Sequence, residues 1–400
     1  PLSFLAADYS LPLRRHLQNL FQNVNVLVLN GRTFSDAEEA TVVLLADGYG
    51  YSNIDCKLKI SATLNDLLPP NGISISSRVK NMKEDPNLWQ IGFNLLPSRV
   101  RRIYERMKAD DRTSTLGDWA TVRIGVVSGA NDYFILKPQE ALNIGLPRKY
   151  LRPIVARSKV LAGLSYRRTD QERIEDSNGQ SLLLVAPKRN LPQQIRRYVA
   201  LGQRIGVPNR FKCKSREPWY SVSGAWVPDA YLHYMSSSLP RIVLNYSRST
   251  CTNAIHRLNW KKRMSLSEQH ALAVASVSSL AQLSCELVGR SYGGGVLKLE
   301  PNAASRILLP VPTTSQKVSK VFDSIDNLLR RGERARAMAM ADEVTLTEFL
   351  GATFDEQQEM RQALQLLVAY RLRLLSPTRP VAQIPGASLA ATPYPSSDDS

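Results

Sequence analysis

Cysteine and histidine are scarce in this chain, with four of each among 400 residues. The cysteines (Cys56, Cys213, Cys251, Cys285) are scattered, with no paired spacing. That argues against both a zinc site and a disulfide framework, and it suits a reducing, cytoplasmic setting. The histidines also lack ligand spacing. No apolar run reaches the ~18–20 residues of a transmembrane helix, so no membrane partner is expected. No Ser/His/Asp order, carboxylate pair or metal cluster reads as catalytic. Acidic residues are sparse from Arg123 to Arg306, where 28 basic side chains face 11 acidic ones. The sequence therefore does not show the clustered carboxylates of a metal-dependent nuclease.

The chain as a whole carries 52 Lys+Arg and 35 Asp+Glu, a net of +17. The excess lies between Arg123 and Arg306, and the remainder is neutral. A regional excess points to a binding face, with nucleic acid as first candidate. An anionic membrane is a weaker one, because no basic amphipathic helix carries these charges. An apolar content of 43% is enough for a globular core, and the length allows two or three domains.

Periodicity supplies a coarse map. Leu11 to Phe21 reads as an amphipathic helix. Val24 to Leu29 and Thr41 to Ala46 read as buried strands, with a turn at Gly31 to Asp36. Val100 to Lys108 resembles a charged helix. Thr121 to Val127 and Tyr133 to Leu136 read as strands joined by a turn at Asn131-Asp132. Leu182 to Val185, Arg241 to Asn245, Leu297 to Leu299 and Ile307 to Leu309 are further strand candidates. Leu266 to Leu287 reads as one long buried helix ended by Gly289. Val318 to Leu375 is helical with a break near Gly351. The Pro-, Ser- and Ala-rich end after Ser376 reads as disordered.

Four groups of residues suit DNA. Arg290 leads into Tyr292-Gly293-Gly294-Gly295, and Lys298 closes the stretch. Bare glycine amides between cations admit close approach of an anionic backbone, or they mark a turn. Tyr292 either wedges at a base step or is a core tyrosine. Arg210, Lys212, Lys214 and Arg216 alternate beside Trp219-Tyr220. They would place their cations on one side of an extended segment as phosphate contacts, or guard a solvated edge strand. Arg123 opens the strand that leads to Ser128-Gly129-Ala130-Asn131. Its small residues would let the backbone near DNA and Asn131 read an adenine edge, unless this is an ordinary hairpin turn. Arg241, Asn245, Arg248, Asn253 and Arg257 follow a strand and suit base reading, or cap and turn the local backbone. His256 beside them reads as structural.

Several blocks occur together in one order: Ala7-Asp8-Tyr9-Ser10-Leu11-Pro12-Leu13-Arg14-Arg15, Val122 to Phe134, Tyr150-Leu151-Arg152-Pro153, Lys212-Cys213-Lys214 with Pro218-Trp219-Tyr220, and Arg290 to Pro301. The set resembles the C-terminal part of bacterial adenine-specific DNA methyltransferases, the Eco57I-like and TaqI-like N-6 methylases of restriction–modification systems. The resemblance covers most of residues 1–375. It implies a mixed α/β and α+β architecture. Residues 1–54 would end a Rossmann-like catalytic sheet, 55–110 connect, 111–312 form the target-recognition domain, 313–375 a helical region and 376–400 a disordered tail. It also implies double-stranded DNA as partner, S-adenosylmethionine as cofactor of the full-length protein, and a bacterial, nucleoid-associated location. The family's Asn-Pro-Pro-Tyr motif is absent here. Leu68-Pro69-Pro70-Asn71 holds the only Pro-Pro, with the wrong neighbours. The cofactor's glycine loop is also not found. The expectation is that this chain supplies DNA recognition, while the methyl-transfer centre lies in an N-terminal catalytic half before Pro1 or in a separate catalytic subunit. The upstream reading frame separates those two. A third reading, a sequence-blind nucleic-acid binder, predicts no preference among duplexes at ~150 mM salt.

Overall fold

The structure is a computed structural model that describes residues 2–5, 8–29, 41–50, 55–61, 74–75, 91–237, 239–292, 295–312 and 316–372. Near the start, a helix Leu11–Leu20 runs into the strand Phe21–Leu29. That strand pairs antiparallel with Val42–Tyr49 and parallel with Asp55–Ser61. Val24 and Val26 are buried. The sheet therefore continues past residue 54, into what the sequence suggested was connector. The alternation Cys56-Lys57-Leu58-Lys59-Ile60 is the period-two signal that accounts for it. The expected turn from Gly31 to Asp36 and the tail after residue 376 lie outside the described residues.

From residue 91 onward the chain is organised around a five-stranded sheet. Its order is Ala120–Ile124, Ile255–Trp260, Ala230–His233, Ile242–Asn245, Ser165–Tyr166. The helices Ser98–Ala109, Leu266–Ala275, Ser279–Val288, Gln316–Arg330, Arg334–Asp342 and Phe354–Arg371 share one apolar core with it, from Leu96 to Leu367. The helices after residue 313 thus pack into the same core as the sheet. Full burial of one such Leu or Phe side chain contributes about 1.5–3 kcal/mol, so this shared core is the main cohesive force of the region.

A smaller lobe is formed mostly by residues between Ile124 and Asp229, completed by the strand Thr250–Cys251 from beyond that stretch. Its four-stranded sheet runs Thr250–Cys251, Leu151–Val155, Leu182–Leu184, Ile135–Leu136. It has its own core, which includes Tyr133, Phe134, Ile195, Tyr198 and Cys213. Tyr133 and Tyr198 stack at 4.6 Å and each donates its hydroxyl to the other's carbonyl, at 2.9 and 2.8 Å. Trp219 leans on the pair at 5.7 Å. Tyr133 and Phe134 belong to a helical turn, Asn131–Phe134, and only Ile135–Leu136 is strand. That corrects the expected strand from Tyr133.

The helix expected from Leu266 to Leu287 is two helices, bent by 65° at Ser276-Val277-Ser278. Ser278 caps the second by accepting the Ala281 N–H. Ser276 is drawn away, donating to Ala273 O and accepting the Ile242 N–H. Among the described residues no single helix is long and apolar enough to cross a membrane. The bent pair is apolar because it sits in the core.

Candidate nucleic-acid interface

The strand Ala120–Ile124 is an edge of the five-stranded sheet, and it leads directly into the loop at Ser128. Gly125 N–H bonds Ile255 O and Val126 N–H bonds Cys251 O, so the chain stays registered as it leaves the sheet. Gly125 is required there, since a Cβ would lie 2.0 Å from Thr252 O. Ser128 is buried, accepts the Ala130 N–H at 3.1 Å and donates to Asn131 Oδ1. Asn131 itself is exposed. Its amide oxygen is engaged by Ser128.

The cationic run from Arg210 packs against this loop, so two of the expected groups form one patch. The run is a short helix, Phe211–Lys214, rather than the extended segment expected from its alternation. The helical turn separates its members by function. Arg216 Nη1 donates to Ser128 O at 2.6 Å and Nη2 to Val127 O. Arg210 makes a two-pronged ion pair with Asp132. That bond pulls the Asp132 carboxyl below its usual range and raises the Arg210 guanidinium. Cys213 is buried, and burial pushes its thiol up. Lys212 and Lys214 are exposed. Gly129 has φ +80°, and a Cβ on it would meet Lys212 Cβ at 2.7 Å.

The group after residue 241 is turned inward. Arg241 is buried and donates to the carbonyls of Leu161, Ala162, Gly163 and Leu239. Desolvation lowers its pKa to about 10. Arg257 is buried and donates to Ile124 O and Gly224 O, with its guanidinium 3.7 Å from the Trp226 ring centroid. Asn245 Nδ2 donates to Pro228 O and Ser249 O. In contrast to the outward aim expected for base reading, the donors of Arg241, Asn245 and Arg257 are engaged here by carbonyls of the fold. His256 is buried, with Nε2 on Leu299 O, and burial lowers its pKa. Arg248, at φ +58°, and Asn253 remain exposed, as does Arg123, which sits directly opposite Arg257 in the ladder.

Arg290–Tyr292 and Val296–Lys298 form a hairpin. Gly293 and Gly294 lie outside the described residues. Gly295, at φ +72°, gives its carbonyl to Arg371, and a Cβ there would lie 2.9 Å from Leu372 Cδ2. The close approach at Gly295 is therefore to the last helix of this chain. Lys298 is 3.0 Å from Glu300 and stands over Tyr292 and Tyr234, at 5.3 and 5.6 Å from the ring centroids. Arg290 is half-buried.

Two features escaped the sequence reading. Lys261-Lys262-Arg263, all exposed, leave the strand Ile255–Trp260 beside Trp119 and line a cavity of about 440 Å³ with Asp229 and Trp260. Lys262 lies 4.9 Å from the Trp119 ring centroid. Phe211, set inside the cationic run, is 83% exposed. The signal for each was present: three consecutive cations, and an aromatic between cations. Because Trp260 pairs with Ala120 and His256 with Ile124, Lys261–Arg263 and the Ser128 loop lie at opposite ends of the edge strand, with Arg123 between. The strand Ala120–Ile124 spans roughly 13 Å at ~3.3 Å per residue, the length of about four base pairs of duplex at ~3.4 Å each.

The edge strand Ala120–Ile124 thus runs between exposed cations and leads into a loop braced by Arg216. Residues 91–346 match the family of the type II methyltransferase M.Eco57I C-terminal domain, and the chain belongs to that family. It is 23% identical over 311 residues to the type II methyltransferase M.AccI of Acinetobacter calcoaceticus, an alignment covering 76% of this chain and 56% of that protein. The chain thus spans about half the length of that curated relative. Among solved structures, it is similar to the type IIG restriction endonuclease BpuSI, with a TM-score of 0.41, 14% identity, and coverage of 93% of this chain and 46% of that one.

Among the described residues no glycine loop opens a helix after a parallel strand.

Proposed function

We propose that this region reads DNA sequence for an adenine-specific type II methyltransferase that uses S-adenosylmethionine, and that the chain by itself does not transfer methyl groups. One observation carries the reading: the Ser128–Asn131 loop and the Lys212/Lys214 helix, far apart in sequence, form one braced patch at the end of a basic sheet edge. Methylating the adenine amine requires taking the base out of the duplex, which costs a few kcal/mol. Contacts elsewhere must offset that cost. Lysines at phosphates provide the salt-dependent share, and side chains on base edges provide about 1–3 kcal/mol of discrimination per base pair. Exposed Asn131, Arg123, Arg248 and Asn253 are the candidates for base edges. Lys212, Lys214 and Lys261–Arg263 are those for phosphates.

The test is selection of duplexes from a random pool by the purified chain at ~150 mM salt, where a recognition domain still discriminates. Enrichment of one sequence class is expected. Binding without enrichment would reduce the protein to a sequence-blind binder. In parallel, no labelled methyl group should pass from S-adenosylmethionine to DNA, and detectable transfer would refute that part of the proposal.

A further inference from the structure

Phe211 is the most exposed large apolar side chain among the described residues, at 83%. It is not a loose end. The helical turn that carries it buries Cys213 completely on the other side, because residues two apart on a helix point about 200° apart. Arg210, just before it, is tied to Asp132, and Arg216, just after it, is tied to the Ser128 and Val127 carbonyls. The neighbouring loop leaves no room for even a methyl at Gly129. Beneath lie Tyr133 and Tyr198, stacked and mutually hydrogen-bonded, with Trp219 tilted against Tyr133. Lys212 holds its ammonium 5.2 Å from the Phe211 ring centroid, and Lys214 is exposed beside it.

We propose that Phe211 is a wedge that enters bound DNA at a base step, with Lys212 and Lys214 on the flanking phosphates. This rests on the DNA-recognition reading above. A rigid mount is what the role demands, since unstacking a step costs a few kcal/mol and a mobile ring would swing aside instead. The surrounding lysines favour DNA as the occupant. The cores of protein–protein interfaces are depleted in lysine, and one isolated ring offers a protein partner little apolar area. A flat ring between cations fits a base stack between phosphates.

The experiment uses the whole chain and an end-labelled, mixed-sequence duplex of about 30 base pairs, with anisotropy for affinity and end-to-end energy transfer for bending, from ~50 to ~200 mM salt. Phe211→Ala is expected to weaken binding roughly tenfold at every salt concentration, the loss typical of one stacking contact. The salt slope should stay unchanged and the bend should fall. Phe211→Trp should restore both. Because the ring is exposed, the urea midpoint of Phe211→Ala should match the parent. If Phe211→Ala binds and bends DNA as the parent does, the wedge is overturned while DNA recognition stands, and the ring is left to a protein partner. If the parent chain does not bind the duplex even at ~50 mM salt, both readings fall together.

Discussion

At the scale of single residues, arginine and lysine divide the work. Arg216, Arg241 and Arg257 aim their forked donors at carbonyls inside the protein, while Lys212, Lys214, Lys261 and Lys262 stay in water. The guanidinium has five donors in a fixed plane and a weaker hold on water, so it can satisfy several carbonyls at once. The ammonium is more strongly hydrated and remains outside. This makes two expected outcomes separable. Lys212→Ala and Lys214→Ala should each lower the salt slope of DNA binding by about one, since each removes a phosphate contact. Arg216→Ala should weaken binding with the slope unchanged, because it frees the Ser128 loop without removing a phosphate contact. Salt titrations of the three variants decide it, and a lowered slope for Arg216→Ala would return that residue to the DNA side. Arg241→Ala should cost about 3–5 kcal/mol in urea unfolding, leaving buried carbonyls without donors. A loss under ~1 kcal/mol would mean water replaces the guanidinium easily. A sequence shows that a residue is basic, not whether carbonyls are waiting for it, which is why Arg241 and Arg257 read as binding residues.

At the scale of elements, what repeats locally was legible and what is decided by a distant partner was not. Val24–Leu29, Leu182–Val185 and Arg241–Asn245 were readable as strands from their apolar runs, and Val100 to Lys108, within the helix Ser98–Ala109, was readable as a helix from its charge. The break at Ser276–Ser278 was not. Its composition continues the helix, but Ser276 is claimed by the Ile242 N–H, and Asp342, far along the chain, accepts the Ser279 N–H at 2.6 Å. Likewise Lys212–Lys214 alternate as an edge strand would, yet Cys213 is drawn into the aromatic core and the segment coils. The basic stripe was legible in amount. Its path was not, because it depends on which strand pairs with Ala120–Ile124. Asp326 shows how one carboxylate joins elements. It is buried in the helix Gln316–Arg330, accepts the Leu164 and Ser165 N–H groups at 2.6 and 3.0 Å, and pairs with Arg330 at 2.9 Å. Asp326→Ala would strand those donors and leave Arg330 with Asp170 as its carboxylate partner. The expected loss is about 3–5 kcal/mol of stability. Hydrogen exchange should show the Leu164 and Ser165 amides opening first. Full protection of those amides in the variant would contradict the assignment.

At the scale of the molecule, the source of positive charge sets how binding and stability should respond to acid. Desolvation lowers His233 to about 3, with the Arg241 charge acting the same way, and burial also lowers His256 and His270. These three stay neutral in the folded protein at neutral pH, so the cationic face is made by Lys and Arg, which do not titrate there. DNA affinity at fixed ionic strength should therefore stay level from about pH 6 to pH 8 while falling steeply with salt. Stability should behave otherwise. The folded pKa of His233 lies below its unfolded value of 6.5, so the unfolded chain takes up the proton first. Its contribution is fully present above about pH 6.5 and is lost as pH falls toward 3, by about 1.4 kcal/mol per pH unit. Asp342 works the other way. Burial raises it from 3.8 to about 6 against the pull of Arg361 and Ser279, so the folded state takes up a proton between those values and gains stability there. The two partly cancel in the parent protein from about pH 6 to pH 4, and its pH profile alone cannot apportion them. His233→Gln separates them, since the amide can still serve the Arg241 backbone but does not titrate. Urea midpoints compared from pH 7.5 to pH 4.5 should show the variant losing less stability on acidification than the parent. Identical profiles would mean that His233 already has water to receive its proton, and that the sheet beneath the cationic face is less dry than its packing indicates.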